Sequence, residues 1–407
     1  GLTGQVVIVS NFTDLDDKKD LVNGKIVLYN VPFTNYGITV QYRTLGADRA
    51  SAYGAIASLT RSVTTFSLQT PHTGTVYYEN GSPKIPAVAV TVEDAELMQR
   101  IHDRGENITV HLVLNCSQEA DAISHNVMAE ITGSEYPDEI VVIGGHIDSW
   151  DVGEGAQDDG GGAFIAWEVV RLLKELSNSS EGLRPKRTIR AVMWTNEENG
   201  GQGGLQYLFN HAKEVENTIA AIESDSGVFN PTHMGFTGSG DKGDEGLVYV
   251  QEIASKYMQD ILPEGVQDGG GGADIEPLMN YGVPGMSMSN EGGKAPEYKY
   301  FYYHHTDADT FDKVDKVELQ KNVAVMAIMS YTLANEETVV PLQRKPFYKT
   351  LKVNDFYTLE WGSVEGLDLI TFRITVKAHV WGGLGLCSDN CESSSLMAGG
   401  DFYIATF

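Results

Sequence analysis

Cysteine is scarce in this chain of 407 residues, which contains only Cys116, Cys387 and Cys391. So few thiols exclude a small domain held together by disulfide bonds. Cys387 and Cys391 are close enough in sequence to form a local bridge, which leaves Cys116 unpaired. The same two thiols would supply only part of a zinc site.

Basic residues are also few, because 29 Lys and Arg side chains face 56 Asp and Glu side chains, giving a formal net charge of −27. Binding to nucleic-acid phosphates requires clustered Lys and Arg, so no nucleic-acid partner is expected. An anionic membrane surface is an equally poor partner. The acidic balance favours solubility and the attraction of cations.

Long apolar runs are missing as well. The longest candidate, residues 322–334, is shorter than the ~20 residues of a membrane span and is expected to form a buried helix. No signal peptide is visible and the chain starts with Gly1, so we expect processing or a fragment. Five Asn-X-Ser/Thr sequons indicate the secretory pathway, and hence a secreted or lysosomal protein. Their asparagines are Asn11, Asn80, Asn107, Asn115 and Asn178.

Three segments of different pattern follow one another. Residues 1–120 contain short β-branched runs and two helical stretches, "ADRASAYGAIASL" and "VEDAELMQRIHDRG", which predict a β-rich domain. Residues 121–340 alternate strand-like and longer helical runs, which is typical of an α/β domain with a largely parallel sheet. Residues 341–407 alternate apolar and polar side chains, which predicts a separate β-rich module that stops in mid-strand.

The first long helix of the middle segment has an apolar stripe that should face the sheet. The stripe consists of Ile165, Val169, Leu172, Leu173 and Leu176.

Residues 144–162, "GGHIDSWDVGEGAQDDGGG", combine many glycines with one histidine and four aspartates. Glycine permits tight turns and close backbone approach, so the stretch is either a flexible loop or a site where acidic groups converge. In open α/β sheets, ligands bind beyond the carboxyl ends of the strands. Candidate cation ligands follow these strand-like runs and a later motif, "YFYYHHTDADT": His146, Asp148, Asp158, Asp159, Glu197, Glu198, Asp225, His304 and His305.

Each of these residues also has an ordinary structural role. Asp158 and Asp159 could cap a helix, the pair Glu197 and Glu198 could be solvated, and Asp225 could belong to a turn. Together, however, carboxylates crowded at strand ends repel one another and need a cation. Zinc suits a mixed set of His and carboxylate ligands, and two metals a few ångströms apart need about five ligands, one of them shared.

The motifs "GGHIDSWDVGEGAQDDGGG", "WTNEENGG", "ESDSG" and "YFYYHHTDADT" resemble those of the M28 family of co-catalytic zinc peptidases, and the likeness covers roughly residues 1–340. The resemblance implies two zinc ions per chain. Asp158 would bridge them, and Glu197 would act as general base and acid. The Asp158–Asp159 peptide bond would be cis. The remaining ligands implied are His146, Glu198, Asp225 and His305, with Asp148 orienting the ring of His146.

The resemblance implies further properties. Substrates would be short unblocked peptides, such as dipeptides, Asp274 would lie beside the substrate and sense its amine, and the enzyme would be a homodimer. Residues 1–120 resemble a protease-associated (PA) domain inserted into the peptidase, whose own N-terminal part would be missing here. The tail resembles the start of a DOMON domain, on the cues Trp361, Met397 and Asp401, and Met397 or His379 could ligate a haem; an unrelated β module is the alternative.

The expected fold is therefore an α/β zinc-exopeptidase sheet flanked by helices, with a β-rich PA domain (1–120), a peptidase domain (121–340) and a C-terminal β-sandwich fragment (341–407). The expected function is a zinc metallopeptidase of the carboxypeptidase or dipeptidase type. An aminopeptidase of the same family is one alternative. A non-catalytic, receptor-like binding ectodomain is the other, although such proteins lose ligands that are all present here.

Overall fold

The computed structural model describes residues 1–117, 119–179 and 182–343, together with five short strands of the remaining chain. The chain divides into two compact units, Gly1–Gln343 and Arg344–Phe407. Each is described by itself.

The first part of the larger unit contains a five-stranded sheet in the order β4-β3-β2-β1-β5. Its strands are β1 (Leu2–Val9), β2 (Ile26–Tyr29), β3 (Ala57–Arg61), β4 (Ala87–Val90) and β5 (Thr109–Leu112). Neighbouring strands are parallel except for β1 and β5. The helices of this part are α1 (Phe12–Asp17), α2 (Lys19–Val22), α3 (Tyr36–Thr39), α4 (Gln41–Thr44), α5 (Gly46–Ser51) and α6 (Val92–Asp103).

The expected helix over residues 47–59 is only half right. The helix α5 ends at Ser51, and strand β3 begins at Ala57 between β2 and β4. Ala57 and Leu59 are fully or almost fully buried. A strand that is covered on both faces does not alternate apolar and polar side chains. The alanine-rich sequence that leads into β3 therefore resembled a continuation of the preceding helix. The second predicted helix is confirmed as α6, with the Thr91 hydroxyl accepting a hydrogen bond from the amide of Asp94 at 3.0 Å.

The second part contains a seven-stranded sheet in the order β11-β10-β12-β9-β7-β8-β6. Its strands are β6 (Val127–Ile131), β7 (Tyr136–His146), β8 (Arg187–Trp194), β9 (Thr218–Glu223), β10 (Pro231–Thr237), β11 (Val266–Asp268) and β12 (Gly285–Asn290). The pairs β6·β8 and β10·β12 are antiparallel and the other four are parallel. The helices are α7 (Gly161–Ser177), α8 (Gln202–Asn210), α9 (Ala212–Val215), α10 (Gly243–Tyr257), α11 (Glu276–Asn280) and α12 (Lys316–Asn335).

Helices cover both faces of this sheet, which confirms the predicted α/β class. One core joins α7, α10 and α12 to strand residues that include Ile189 and Ala191. Trp194 lies three positions further along β8 and therefore faces the other side, where it meets Tyr207 of α8 edge-on at 5.3 Å between ring centroids. Among the described residues, no helix is both long and apolar enough to cross a membrane.

The predicted stripe of α7 is correct except at its end. Ile165, Val169 and Leu173 are buried and Leu172 packs partly against the core. Leu176 is 42% exposed, because it lies in the last turn of the helix beside the exposed residues 178 and 179.

The smaller unit contains β strands, as the tail pattern predicts. Strands β13 (Lys349–Lys352), β14 (Tyr357–Ser363) and β15 (Ile370–Val376) form an antiparallel sheet, and β16 (Gly382–Gly385) pairs with β17 (Phe402–Ala405). Trp361 lies on β14. Cys387, Cys391, Met397, Asp401 and His379 lie outside the described residues, so the thiol and haem-ligand hypotheses stay predictions.

Candidate metal centre

Three adjacent parallel strands bring their carboxyl ends to the same edge of the large sheet. Strand β7 ends at His146, β8 leads into Glu197 and Glu198, and β9 leads into Asp225. The opening of α7 packs tightly against this edge, since a Cβ on Gly162 would overlap the backbone carbonyl of Ser224. The glycines of residues 144–162 therefore allow the helix to start beside the strand ends.

The first group of candidate ligands surrounds the Nε2 atom of His146. That atom lies 3.3 Å from Oδ1 of Asp158 and 3.7 Å from Oδ1 of Asp225. The carboxylate of Glu197 is at 4.0 Å. His146, Asp158 and Asp225 offer their atoms within 4.8 Å of one another, which is close enough to hold one metal ion.

The second group lies on the other side of the same aspartate. The Nε2 atom of His305 lies 3.0 Å from Oε2 of Glu198 and 3.3 Å from Oδ2 of Asp158. These three residues again offer atoms within 4.8 Å of one another. Asp158 thus presents one carboxylate oxygen to each group, as a bridging ligand would.

The chemistry of these groups fits bound cations. Within the part of the chain that the structure describes, three atoms are buried without a hydrogen-bond partner: His146 Nε2, Asp158 Oδ2 and Glu198 Oε1. Burial, together with the neighbouring carboxylates, raises the pKa of Asp158 and raises that of Glu198 to about 7. Burial likewise lowers the pKa of His305, which favours the neutral ring that a metal requires. Neutral imidazoles and crowded carboxylates are a donor set for zinc.

Asp148 supports the centre through two different atoms. Its backbone carbonyl accepts a hydrogen bond from Nδ1 of His146 at 2.9 Å, which leaves Nε2 to face the other ligands. Its carboxylate accepts hydrogen bonds from the backbone amides of Glu197 and Glu198, at 3.0 and 3.3 Å. The ring of His146 is therefore oriented by the carbonyl of Asp148, whereas the carboxylate fixes the turn that carries both glutamates.

The loop that carries Asp158 is held by two further aspartates. Asp309 accepts hydrogen bonds from the amides of Gln157 and Asp158, at 2.8 and 3.0 Å. Asp159 accepts from the amides of His146 and Gly162, at 3.0 and 3.1 Å. The Asp158–Asp159 peptide bond is cis, which confirms that part of the resemblance.

Glu197 is the candidate base. Its carboxylate is partly accessible, with a side-chain exposure of 19%, whereas that of Glu198 is 4%. Burial first, and then the charge of Asp225, raise the pKa of Glu197 to about 7. A carboxylate in this environment can both accept and return a proton near neutral pH.

His304 and His305 contact the N-terminal part of the chain. The Thr73 amide donates to the carbonyl of His305 at 2.9 Å, and Nδ1 of His305 donates to the carbonyl of Thr73 at 3.1 Å. Nδ1 of His72 donates to the carbonyl of His304 at 3.0 Å, so its Nε2 is an acceptor and lies 2.7 Å from Nη1 of Arg43.

His72, His304 and His305 also form a cluster close enough for a metal ion. The guanidinium of Arg43 already occupies Nε2 of His72 and would repel a cation there. Among the carboxylates of the described residues, His304 lies near Asp158, at 3.4 Å, whereas His305 lies near both Asp158 and Glu198. The geometry thus favours His305 as the ligand.

Asp274 lies next to the centre but is deeply buried. Neither of its carboxyl oxygens has a hydrogen-bond partner within the described residues, and Oε1 of Glu223 has none there either. Burial and the charge of Glu223 raise the pKa of Asp274 to about 9. Glu223 accepts a hydrogen bond from the amide of Ile275 at 3.0 Å, which places its carboxyl group next to the residue that follows Asp274.

Several residues of this neighbourhood had no signal in the sequence. Arg43, His72 and Thr73 contact residues that are more than 230 positions away in the sequence. No local sequence pattern identifies such contacts. Tyr300, whose ring lies 4.9 Å from that of His304 between centroids, is one aromatic residue among many in its segment. Asp309 lies inside the "HHTDADT" motif, where an acidic residue close to two candidate ligands was the available cue.

Comparison with known proteins gives consistent results. The model of peptidase family M28 matches residues 126–330. Carboxypeptidase Q from Homo sapiens is 44% identical over 341 residues, which cover 84% of this chain and 69% of that protein. Carboxypeptidase Q from Bos taurus is 46% identical with the same coverage.

Two solved structures share the architecture. The crystal structure of a peptidase M28 precursor from Shewanella amazonensis has a TM-score of 0.76 and 33% identity, covering 85% of this chain and 77% of that one. BSAP, a zinc aminopeptidase from Bacillus subtilis, has a TM-score of 0.54 and 19% identity, covering 83% and 77%, and shows the shared fold alone. With its clusters of metal ligands at the strand ends, the chain belongs to peptidase family M28 and is a metallopeptidase.

Proposed function

We propose that the chain is a zinc exopeptidase of the carboxypeptidase type that hydrolyses short unblocked peptides, dipeptides above all. The observation that carries the proposal is the position of Asp158 between two ligand groups, with Glu197 beside the first. The relatives that share 44–46% of its residues are carboxypeptidases by name.

The residues divide between two metal ions. His146 and Asp225 would hold one zinc, Glu198 and His305 would hold the other, and Asp158 would bind both. When bound, zinc would lower the pKa of a water molecule and polarise the scissile carbonyl.

The chain's own residues supply the rest of the reaction. The carboxylate of Glu197 takes a proton from the attacking water and later gives it to the leaving amine. The carboxylate of Asp148 keeps Glu197 in place by accepting its backbone N–H. The partly exposed position of Glu197, next to buried Glu198, suits a group that must meet substrate.

Replacing Glu197 by Gln tests this role. The amide cannot accept the proton, so kcat should fall by about 10²- to 10⁴-fold. Glu198→Ala serves as the contrasting variant, since it should reduce bound zinc as well. Metal analysis and kcat are measured on both proteins, and an unchanged kcat in E197Q would remove Glu197 from its role.

Substrate class is tested with a panel of dipeptides, free and N-acetylated, on the zinc-loaded protein. Cleavage of free dipeptides only, abolished by a chelator, is the expected outcome. It would also support Asp274, whose carboxyl oxygens have no hydrogen-bond partner among the described residues, as the group that senses the substrate amine. Equal cleavage of N-acetylated peptides would contradict that part of the proposal.

Cleavage from the amino terminus of longer peptides would favour the aminopeptidase alternative. The probable leucine aminopeptidase 2 of Aspergillus oryzae is 25% identical over 280 residues. Product analysis of a tripeptide separates the two, because each activity releases a different amino acid.

The protein is further proposed to be a secreted or lysosomal homodimer whose residues 1–120 form a PA domain. All five sequon asparagines are exposed, as glycan attachment requires. Glycosidase-sensitive mobility of the protein made in a secretory host tests the first point, and light scattering tests the second.

A further inference from the structure

Strand β4 is an edge of the five-stranded sheet, because within the described residues it pairs with β3 alone. Ser58 of β3 lies opposite Ala87, and its amide donates to the carbonyl of Pro86 at 2.9 Å. Successive residues of a strand direct their N–H and C=O groups to opposite sides. The even-numbered residues of β4 therefore bond to β3, whereas Ala87 and Ala89 direct their N–H and C=O groups away from the sheet.

This edge is left open at two positions. One step earlier in the chain, the hydroxyl of Tyr78 donates to the outward carbonyl of Ile85. The part of the chain that the structure describes offers no such partner to Ala87 or Ala89. The sequence of β4 is Ala-Val-Ala-Val, so neither a charge nor a proline protects it. An apolar edge of this kind is a template for another extended chain.

The open edge borders a groove with a volume of about 470 Å³. Residues 87–89 line it together with Leu114, Val152 and Asp307. Leu114 and Val152 are exposed hydrophobic side chains, which can contact the side chains of an extended ligand while β4 bonds its main chain. Asp307 is exposed, no basic residue lines the groove, and the chain has a net charge of −27. Neutral or basic peptides are therefore favoured over acidic ones.

The groove is continuous with the candidate metal centre. Val152 lines both the groove and the smaller pocket that contains Asp158, Glu198 and His305. Thr73 also lines the groove, and its main chain bonds the carbonyl and the ring of His305. An extended peptide in the groove therefore lies beside the second group of candidate ligands.

We propose that the edge of β4 binds the main chain of an extended peptide substrate, which adds a short strand beside Ala87 and Ala89. The inference rests on the exopeptidase function proposed above and extends its substrates from dipeptides to oligopeptides. Ala87 and Ala89 are about 6.6 Å apart along the strand, so only a peptide with at least three residues in the groove pairs with both. Main-chain hydrogen bonds do not depend on side-chain identity, so peptides of many sequences are accepted.

The first test changes the peptide and leaves β4 intact. Fluorescence anisotropy measures the binding of a labelled octapeptide of alternating valine and serine to the zinc-loaded Glu197→Gln protein. N-methylation then removes one peptide N–H at a time. Methyl groups on the alternate residues that face β4 should each weaken binding about 2- to 10-fold, with little effect at the residues between them.

The second test changes the strand. Ala89→Pro removes an outward N–H, and proline is tolerated at an edge position whose N–H faces solvent. In the protein with Glu197 intact, KM for the octapeptide should rise by about 2- to 10-fold, while kcat/KM for a dipeptide stays the same. Thr109→Pro is the matched control, at the first residue of the opposite edge strand β5.

Each outcome decides one question. Equal effects of N-methylation at all positions, or no effect at any, would overturn the inference. An equal loss of dipeptide turnover in Ala89→Pro would overturn it too, because β4 would then act on the centre and not on the longer substrate. Alternating effects of N-methylation in a protein that hydrolyses neither peptide would support the groove and refute the proposed function. Hydrolysis of both peptides without alternating effects would do the reverse.

Discussion

Three aspartates at the centre accept hydrogen bonds from backbone amides. The carboxylates of Asp148, Asp159 and Asp309 each accept two backbone N–H groups, and five of these six amides belong to candidate ligands or to their direct neighbours in the chain. Each bond of this kind fixes a main-chain segment without using a ligand atom. The geometry of the centre is therefore set by carboxylates whose oxygens bind backbone amides.

Replacing Asp148 by Asn tests this arrangement at the residue scale. The amide group keeps one acceptor oxygen, so the amides of Glu197 and Glu198 cannot both be held as they are. We expect kcat/KM to fall about 10- to 100-fold, while the carbonyl that orients His146 is unchanged. Steady-state kinetics and zinc content measure the two effects. Asp151→Asn, at an exposed position of the same loop, is the control, and an equal loss there would refute the explanation.

The candidate ligands could be predicted from sequence for a specific physical reason. His146, Glu197, Glu198 and Asp225 all follow strands that turned out to be parallel neighbours, and parallel neighbours end at one edge. Arg43 and Thr73 could not be predicted, because they reach His305 from helix α4 and from a loop of the N-terminal part. Only the three-dimensional contact between the two parts of the larger unit brings them together.

At the element scale, the start of α7 must lie against the end of β9. Gly162 is the second residue of this helix, and its missing side chain lets the helix pass the carbonyl of Ser224, one residue before Asp225. The same local pattern that predicted α7 correctly also extended the helix of residues 47–59 too far. Periodicity identifies a helix with one covered face, whereas a strand buried on both faces, such as β3, carries no such signal.

Replacing Gly162 by Ala should therefore disturb both stability and metal binding. The added methyl group has to displace the Ser224 carbonyl or the helix, which costs about 1–3 kcal/mol of unfolding free energy. Because Asp225 is the next residue, zinc affinity should fall as well. Chemical denaturation and zinc titration measure the two quantities. Gly293→Ala is the control, since no atom lies within 4 Å of its added Cβ, and a similar loss there would contradict the steric explanation.

At the scale of the whole molecule, the larger unit contains every residue of the candidate metal centre. Every candidate ligand, Glu197, Arg43 and both described sheets of the unit lie within Gly1–Gln343. The sequence patterns predict residues 1–120 and 121–340 as two separate segments. In the structure the two segments are in contact through hydrogen bonds between Thr73 and His305. Pattern describes how each segment folds locally and carries no information on contacts that form between segments.

A protein that ends at Gln343 should consequently keep its fold and its metals. The cut preserves the last contacts of the larger unit, in which Gln343 bonds Ser239 through its main chain and accepts from the amide of Asp241 at 2.9 Å. We expect the unfolding free energy of this unit to change by no more than about 0.5 kcal/mol, and zinc content to stay the same. Denaturation, metal analysis and dipeptide hydrolysis are compared with those of the full chain. A protein that ends at Val339 removes the buried Val340 and these contacts, so it should be less stable. Loss of zinc or activity in the longer protein would show that residues 344–407 take part in the centre, and would contradict the assignment of the whole site to one unit.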